Sequence, residues 1–127
     1  MQVGANAAEL PPLRVVAADL AARADFDLDT VADLRLAVDE AASELVTIAA
    51  PEAVLTCIFS LDVAQLEVTS SVPARPGARL RQDSFGWRVL ATLVDEVRVI
   101  GDPEADPPMV GIALCKRRSA NTLTEGH

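Results

Sequence analysis

The chain has 127 residues, half of them hydrophobic, which predicts one folded domain rather than a disordered chain. Its formal charge of −8 argues against nucleic acid as a partner, because phosphate binding requires clustered positive charge. The same charge favours a basic protein partner, and the single histidine, His127, argues against histidine-based catalysis or a zinc site. Cys57 and Cys115 form no CxxC pair, so they predict neither a metal site nor a disulfide.

No segment of the chain resembles a membrane anchor or a leader. No apolar run approaches the roughly 18 residues that a membrane-spanning helix needs. The N-terminal segment MQVGANAAELPP lacks the basic and apolar regions of a secretory signal. We therefore expect a cytoplasmic protein with no membrane contact.

Two helices are predicted in the first half of the chain, after a short N-terminal stretch compatible with an edge strand. The proline pair 11–12 marks the start of the first helix, which runs to about Ala24. The second helix takes Asp29 or Thr30 as its N-cap and runs to about Ala50, where a proline ends it. Its core-facing residues recur at steps of three and four: Val31, Leu34, Val38, Ala41, Ala42, Leu45, Ile48 and Ala49.

Three carboxylates fall together on the other side of this second helix. At about 100° per residue, Asp33, Glu40 and Glu44 share one face. They form either a functional site or a solvated helix face with charges of one sign. The pattern of residues leaves both interpretations open.

The second half of the chain begins with a predicted hairpin. Alternating residues from Ala53 to Leu61 predict a strand, and residues 66–70 predict the strand that returns from the turn. An irregular basic segment, Val72–Asp83, follows and is called the arginine loop here. Its arginines are Arg75, Arg79 and Arg81.

A third helix is predicted over Phe85–Asp95, followed by short strands at 97–100 and 109–115. Its predicted inward residues are Phe85, Val89, Leu90 and Leu93. Runs of helices and antiparallel strands without a βαβ rhythm predict an α+β fold, a two-layer sandwich. We expect one domain over residues 1–118 and a polar C-terminal tail over 119–127.

Three segments carry a family resemblance when they are taken together. They are LRLAVDE at Leu34–Glu40, SFGWRVL at Ser84–Leu90 and LVDEV at Leu93–Val97. They resemble bacterial anti-sigma factors that double as serine kinases of anti-anti-sigma proteins, the RsbW type. That family belongs to the histidine-kinase-like (GHKL) ATPases. The resemblance covers about Leu13 to Arg118 and implies helices on one face of a mixed, mostly antiparallel sheet.

The resemblance also implies a nucleotide site between the long helix and the arginine loop. Glu40 matches the family's glutamate, a general base, and Glu44 stands where the family has a Mg²⁺-binding asparagine. Ser70 and Ser71 fall where the family has an adenine-reading aspartate followed by glycines. The family has a glycine-rich turn before the third helix, whose backbone amides approach the phosphates. In this chain only Gly86 matches a glycine of that turn. ATP and Mg²⁺ are therefore the implied cofactors, with binding that is weak or lost.

The arginine loop and the start of the third helix have further implied roles. One interpretation is that the loop arginines contact phosphate oxygens or a partner protein; the other is that they belong only to a solvated loop. These arginines are Arg75, Arg79 and Arg81. Trp87 puts a bulky ring where the family has a small, open turn, and we interpret it as a packing residue. Cys57 is expected in the core.

The leading hypothesis from the resemblance is an anti-sigma factor. Such a protein sequesters an alternative sigma factor and is released by an anti-anti-sigma partner of the STAS type. One alternative is an active ATP-dependent serine kinase with Glu40 as base and Glu44 on Mg²⁺. Another is a pseudo-ATPase adaptor with a different partner. The family also implies a homodimer.

Overall fold

The computed structural model describes residues 1–102 and 104–118, so the predicted tail and His127 lie outside the described residues. The helices are α1 (Pro11–Arg23), α2 (Leu28–Ile48) and α3 (Phe85–Leu93). The strands are β1 (Gln2–Gly4), β2 (Val54–Leu61), β3 (Gln65–Pro73), β4 (Glu96–Asp102) and β5 (Met109–Arg117). In the described part of the chain, no helix is both long enough and apolar enough to cross a membrane.

The five strands form one sheet in the order β1-β2-β3-β5-β4. Every pairing between these strands is antiparallel, which confirms the α+β fold and makes the sheet antiparallel rather than mixed. The N-terminal stretch does form a strand, because Gln2–Gly4 pairs with β2. The arginine loop starts later than predicted, since β3 continues to Pro73.

Helix α2 lies at the centre of the molecule and packs on α1, α3 and the sheet. All but one of its predicted core residues are buried, and Val31 is half-buried. The predicted N-cap is wrong, because Asp27 caps the helix by accepting a hydrogen bond from the Thr30 amide at 2.7 Å. The backbone of Asp27 is extended, so α2 begins at Leu28. The predicted caps, Asp29 and Thr30, lie inside the helix.

Helix α3 differs from its sequence prediction in its first turn. Ser84 caps it, accepting a hydrogen bond from the Trp87 amide at 3.1 Å. Trp87 and Leu90, three residues apart, turn inward, while Phe85 in the first turn is 80% exposed. The prediction of Phe85 as a core residue is therefore wrong, and Trp87 packs in the core as expected.

Candidate functional site

Glu40 and Glu44 lie where α2 meets the start of α3. Both side chains are half-buried, and a Cβ atom at Gly86 would overlap an Oε1 oxygen of each. Glycine at the second position of α3 thus leaves the space that the two carboxyl groups occupy. This part of the acidic face is a contact between helices and not a fully solvated surface.

The two carboxyl groups affect each other's ionisation. Burial is the largest cause that raises the pKa of the Glu44 carboxyl above its ordinary value of 4.5. The hydrogen bond and the negative charge of Glu40 raise the pKa of Glu44 further. Glu44 therefore holds its proton to a higher pH than an exposed glutamate does, and in that form it donates a hydrogen bond to Glu40.

Asp33, the third carboxylate of the predicted face, belongs to a separate contact. It lies 3.6 Å from the ammonium group of Lys116 on β5. Lys116 is only 16% exposed and also donates a hydrogen bond at 2.8 Å to the Leu93 carbonyl, at the end of α3. This lysine joins α2, α3 and the sheet, a role that the sequence analysis missed.

The two serines of the implied adenine site face opposite sides of β3. Ser70 is 1% exposed, and its hydroxyl lies 3.5 Å from the sulfur of Cys57 on the neighbouring strand. Ser71 is half-buried on the other face, as the alternation of a strand requires. Cys57 is buried as predicted, and burial raises the pKa of its thiol.

The three arginines of the arginine loop do not converge on one point. Arg75 donates to the Thr47 carbonyl at 2.8 Å and so caps the C-terminal end of α2. Arg81 pairs with Asp83 at 3.4 Å, in a contact where both side chains are largely exposed. Arg79 lines a cleft between the loop and the strands β4 and β5.

In the arrangement described, these residues are poorly suited to hold ATP with Mg²⁺. The half-buried carboxyls of Glu40 and Glu44 repel the phosphates that Gly86 would have to approach. Ser70 is buried and its hydroxyl donates to the sulfur of Cys57, so it offers little surface to an adenine.

Comparisons with known proteins place the chain in a family. A family model described as "Histidine kinase-like ATPase domain" matches residues 3–106. The chain belongs to this family. This match confirms the family resemblance that the sequence motifs predict.

Two relatives of the chain come from Mycobacterium tuberculosis, strains CDC 1551 / Oshkosh and ATCC 25618 / H37Rv. Each is named "Anti-sigma-F factor RsbW" and is 33% identical over 125 residues, 96% of this chain and 74% of the relative. The solved structure named "Mycobacterial sensor histidine kinase MprB" shares the fold with a TM-score of 0.56 at 17% identity. That match covers 69% of this chain and 74% of the kinase chain.

The stability of the protein should depend on pH through Glu44. A folded-state pKa above the unfolded value means that the folded form binds this proton more tightly. The stabilisation is therefore complete below about pH 4.5 and is lost as the pH rises through the higher, folded pKa. We expect Glu44→Gln to raise the free energy of unfolding at pH 7 by about 0.5–1 kcal/mol, a small value because water screens the pair.

Urea denaturation from pH 4 to pH 8 measures this effect. The difference between Glu44→Gln and the unchanged chain should grow with pH. The exposed Glu104 supplies the control, since Glu104→Gln makes the same charge change away from α2. A difference that is constant with pH, or equal in the two variants, would contradict the raised pKa of Glu44.

Proposed function

We propose that the protein is an anti-sigma factor that binds and sequesters an alternative sigma subunit of RNA polymerase. The observation that carries this proposal is the 33% identity to a protein named as an anti-sigma factor, extending over 96% of the chain. A match of that extent includes α1, α2, α3 and the sheet, and not one isolated motif.

The charge of the molecule supports a basic partner. The chain carries a net charge of −8, and a sigma subunit presents basic surfaces because it binds DNA. Opposite charges accelerate encounter by long-range attraction, and salt screens this attraction. Cytoplasmic location and release by a STAS-type anti-anti-sigma protein belong to the same proposal.

Stopped-flow association kinetics with the cognate sigma subunit tests the proposal. The association rate should fall about tenfold as ionic strength rises from low to high, while the dissociation rate changes much less. Absence of a complex with any sigma subunit of the source organism at about micromolar concentration would contradict the proposed function. A salt-independent association rate would contradict only the electrostatic part of it.

We further propose that ATP binds weakly and only with Mg²⁺, so that the protein acts by binding rather than by catalysis. The Glu40–Glu44 pair, the buried Ser70 and the separated arginines support this view. The kinase alternative assigns Glu40 as base and Glu44 as Mg²⁺ ligand. It would require the two carboxyls to separate and Gly86 to move away from them.

A homodimer is also proposed, in keeping with the family resemblance. β1 is an edge strand of only three residues, so within the described part of the chain residues 58–61 of β2 have no strand on their outer side. Pairing through N-terminal elements of a second copy would cover that edge. Sedimentation velocity should show a dimer at tens of micromolar, and a monomer throughout that range would contradict the proposal.

A further inference from the structure

A cleft of about 400 Å³ lies between the arginine loop and the edge of the sheet. Its walls are residues 78–80 and 82 of the loop, the part of β4 at residues 99–101 and the start of β5 at residues 109–110. That volume falls within the range of about 300–1,000 Å³ typical of small-molecule sites. The carboxyl pair on α2 contributes nothing to its lining, and neither do Ser70 and Gly86.

The inside of the cleft is mainly apolar. Ala78 and Leu80 come from the loop, and Val99, Met109 and Val110 come from the strands. Ala78, Leu80 and Val110 are partly buried against the core, so the floor is part of the packed structure. Val99 is 39% exposed, which leaves apolar surface open to an incoming molecule. The cleft can therefore cover a short hydrocarbon chain or a single ring.

The polar side chains at the cleft are cationic or neutral. Arg79 and Gln82 are exposed residues of the lining, and no acidic residue of the described part of the chain lines the cleft. Arg79 has no ion pair among residues 1–102 and 104–118, whereas its neighbour Arg81 is paired with Asp83. A guanidinium group pairs with a carboxylate through two parallel hydrogen bonds, and the Gln82 amide supplies a further donor.

We propose that this cleft binds a small amphipathic carboxylate, with its apolar body on Val99 and Val110 and its carboxylate on Arg79. The inference goes beyond the proposed anti-sigma function and does not rest on it. The binding site is separate from the region of Glu40, Glu44 and Gly86. A ligand there would sit under the arginine loop that connects β3 to α3.

Amide-resolved NMR titration of the full chain tests the proposal, with octanoate as the probe. Octylamine is the matched probe with the same chain and the opposite charge. Octanoate should give saturable shifts at amides 78–82, 99–101 and 109–110, with octylamine at least about threefold weaker. Shifts centred elsewhere, or equal affinity for the two probes, would overturn the proposal.

Two variants of the arginine loop separate a built site from general charge attraction. Arg79→Gln should weaken octanoate binding about three- to tenfold, because it removes the charge-assisted hydrogen bonds. Arg81→Gln makes the same charge change in the same loop and should alter octanoate affinity less than about twofold. An equal loss in the two variants would show unspecific attraction and refute the site.

A charge reversal and a nucleotide titration complete the test. Arg79→Glu should reverse the preference, so that octylamine binds more tightly than octanoate; an unchanged preference would contradict the role of Arg79. Mg²⁺-ATP should leave the amides of the cleft unshifted at concentrations where octanoate shifts them. Shifts of the same amides by Mg²⁺-ATP would join the cleft to a nucleotide site and overturn its separate identity.

Discussion

Glu44→Asn should bind Mg²⁺-ATP about tenfold more tightly than the unchanged chain. The substitution removes one of two carboxyls that meet at Gly86 and places an amide where the family resemblance implies a Mg²⁺-binding asparagine. Two like charges about 5 Å apart near a protein surface repel by several kcal/mol, and each 1.4 kcal/mol is about tenfold in affinity. The predicted gain in affinity is at the lower end of that energy range, because the substitution leaves the surroundings of Ser70 and Gly86 unchanged.

Isothermal titration calorimetry with and without Mg²⁺ measures this gain. Asp29→Asn is the matched control, since it makes the same charge change at an exposed position in the first turn of α2. The control should bind ATP as weakly as the unchanged chain. Tight, metal-independent binding by the unchanged chain, or no gain in Glu44→Asn, would mean that the α2 carboxyls do not govern nucleotide binding.

Gly101→Ala should lower the free energy of unfolding by about 2–4 kcal/mol. Gly101 has a φ of +123°, a backbone conformation that L side chains rarely adopt. A Cβ atom there would also overlap the Met109 carbonyl on β5, and backbone atoms in a paired strand have little room to move away. The cost therefore combines backbone strain with steric overlap.

Gly77→Ala separates these two contributions. Gly77 also has a positive φ, +79°, but nothing lies within 4 Å of the position where a Cβ would stand. We expect Gly77→Ala to cost only about 1–2 kcal/mol, the strain of the left-handed backbone alone. Urea denaturation of both variants gives the comparison, and equal losses would show that β4 relaxes away from Met109 without cost.

The sequence predicts α2 well because one strong periodic signal specifies it. Its apolar residues repeat at steps of three and four, and burial follows that pattern from Leu34 to Ile48. The N-cap is less certain from sequence, since Asp27 and Asp29 both carry suitable side chains. Only the backbone path into the helix decides that Asp27 accepts the hydrogen bond from Thr30.

The candidate site depends on contacts between elements, which local patterns do not contain. Periodicity places Glu40 and Glu44 on one face, but it cannot show that Gly86 of α3 lies against them. The position of Lys116 could have been predicted from the sequence. It continues the two-residue alternation of Ile112 and Leu114 along the strand, so its side chain faces the helices. The short helix α3 carries too few turns to fix its inward side, which explains the error at Phe85.

We propose that the protein acts by binding a sigma subunit, without needing nucleotide. Calorimetric titration against every sigma subunit of the source organism, first without nucleotide and then with Mg²⁺-ATP, tests this proposal. We predict that one sigma subunit binds with a Kd of about micromolar or below without nucleotide, and that Mg²⁺-ATP changes this Kd less than about twofold. Binding to no sigma subunit, or binding that appears only with Mg²⁺-ATP, would contradict the claim.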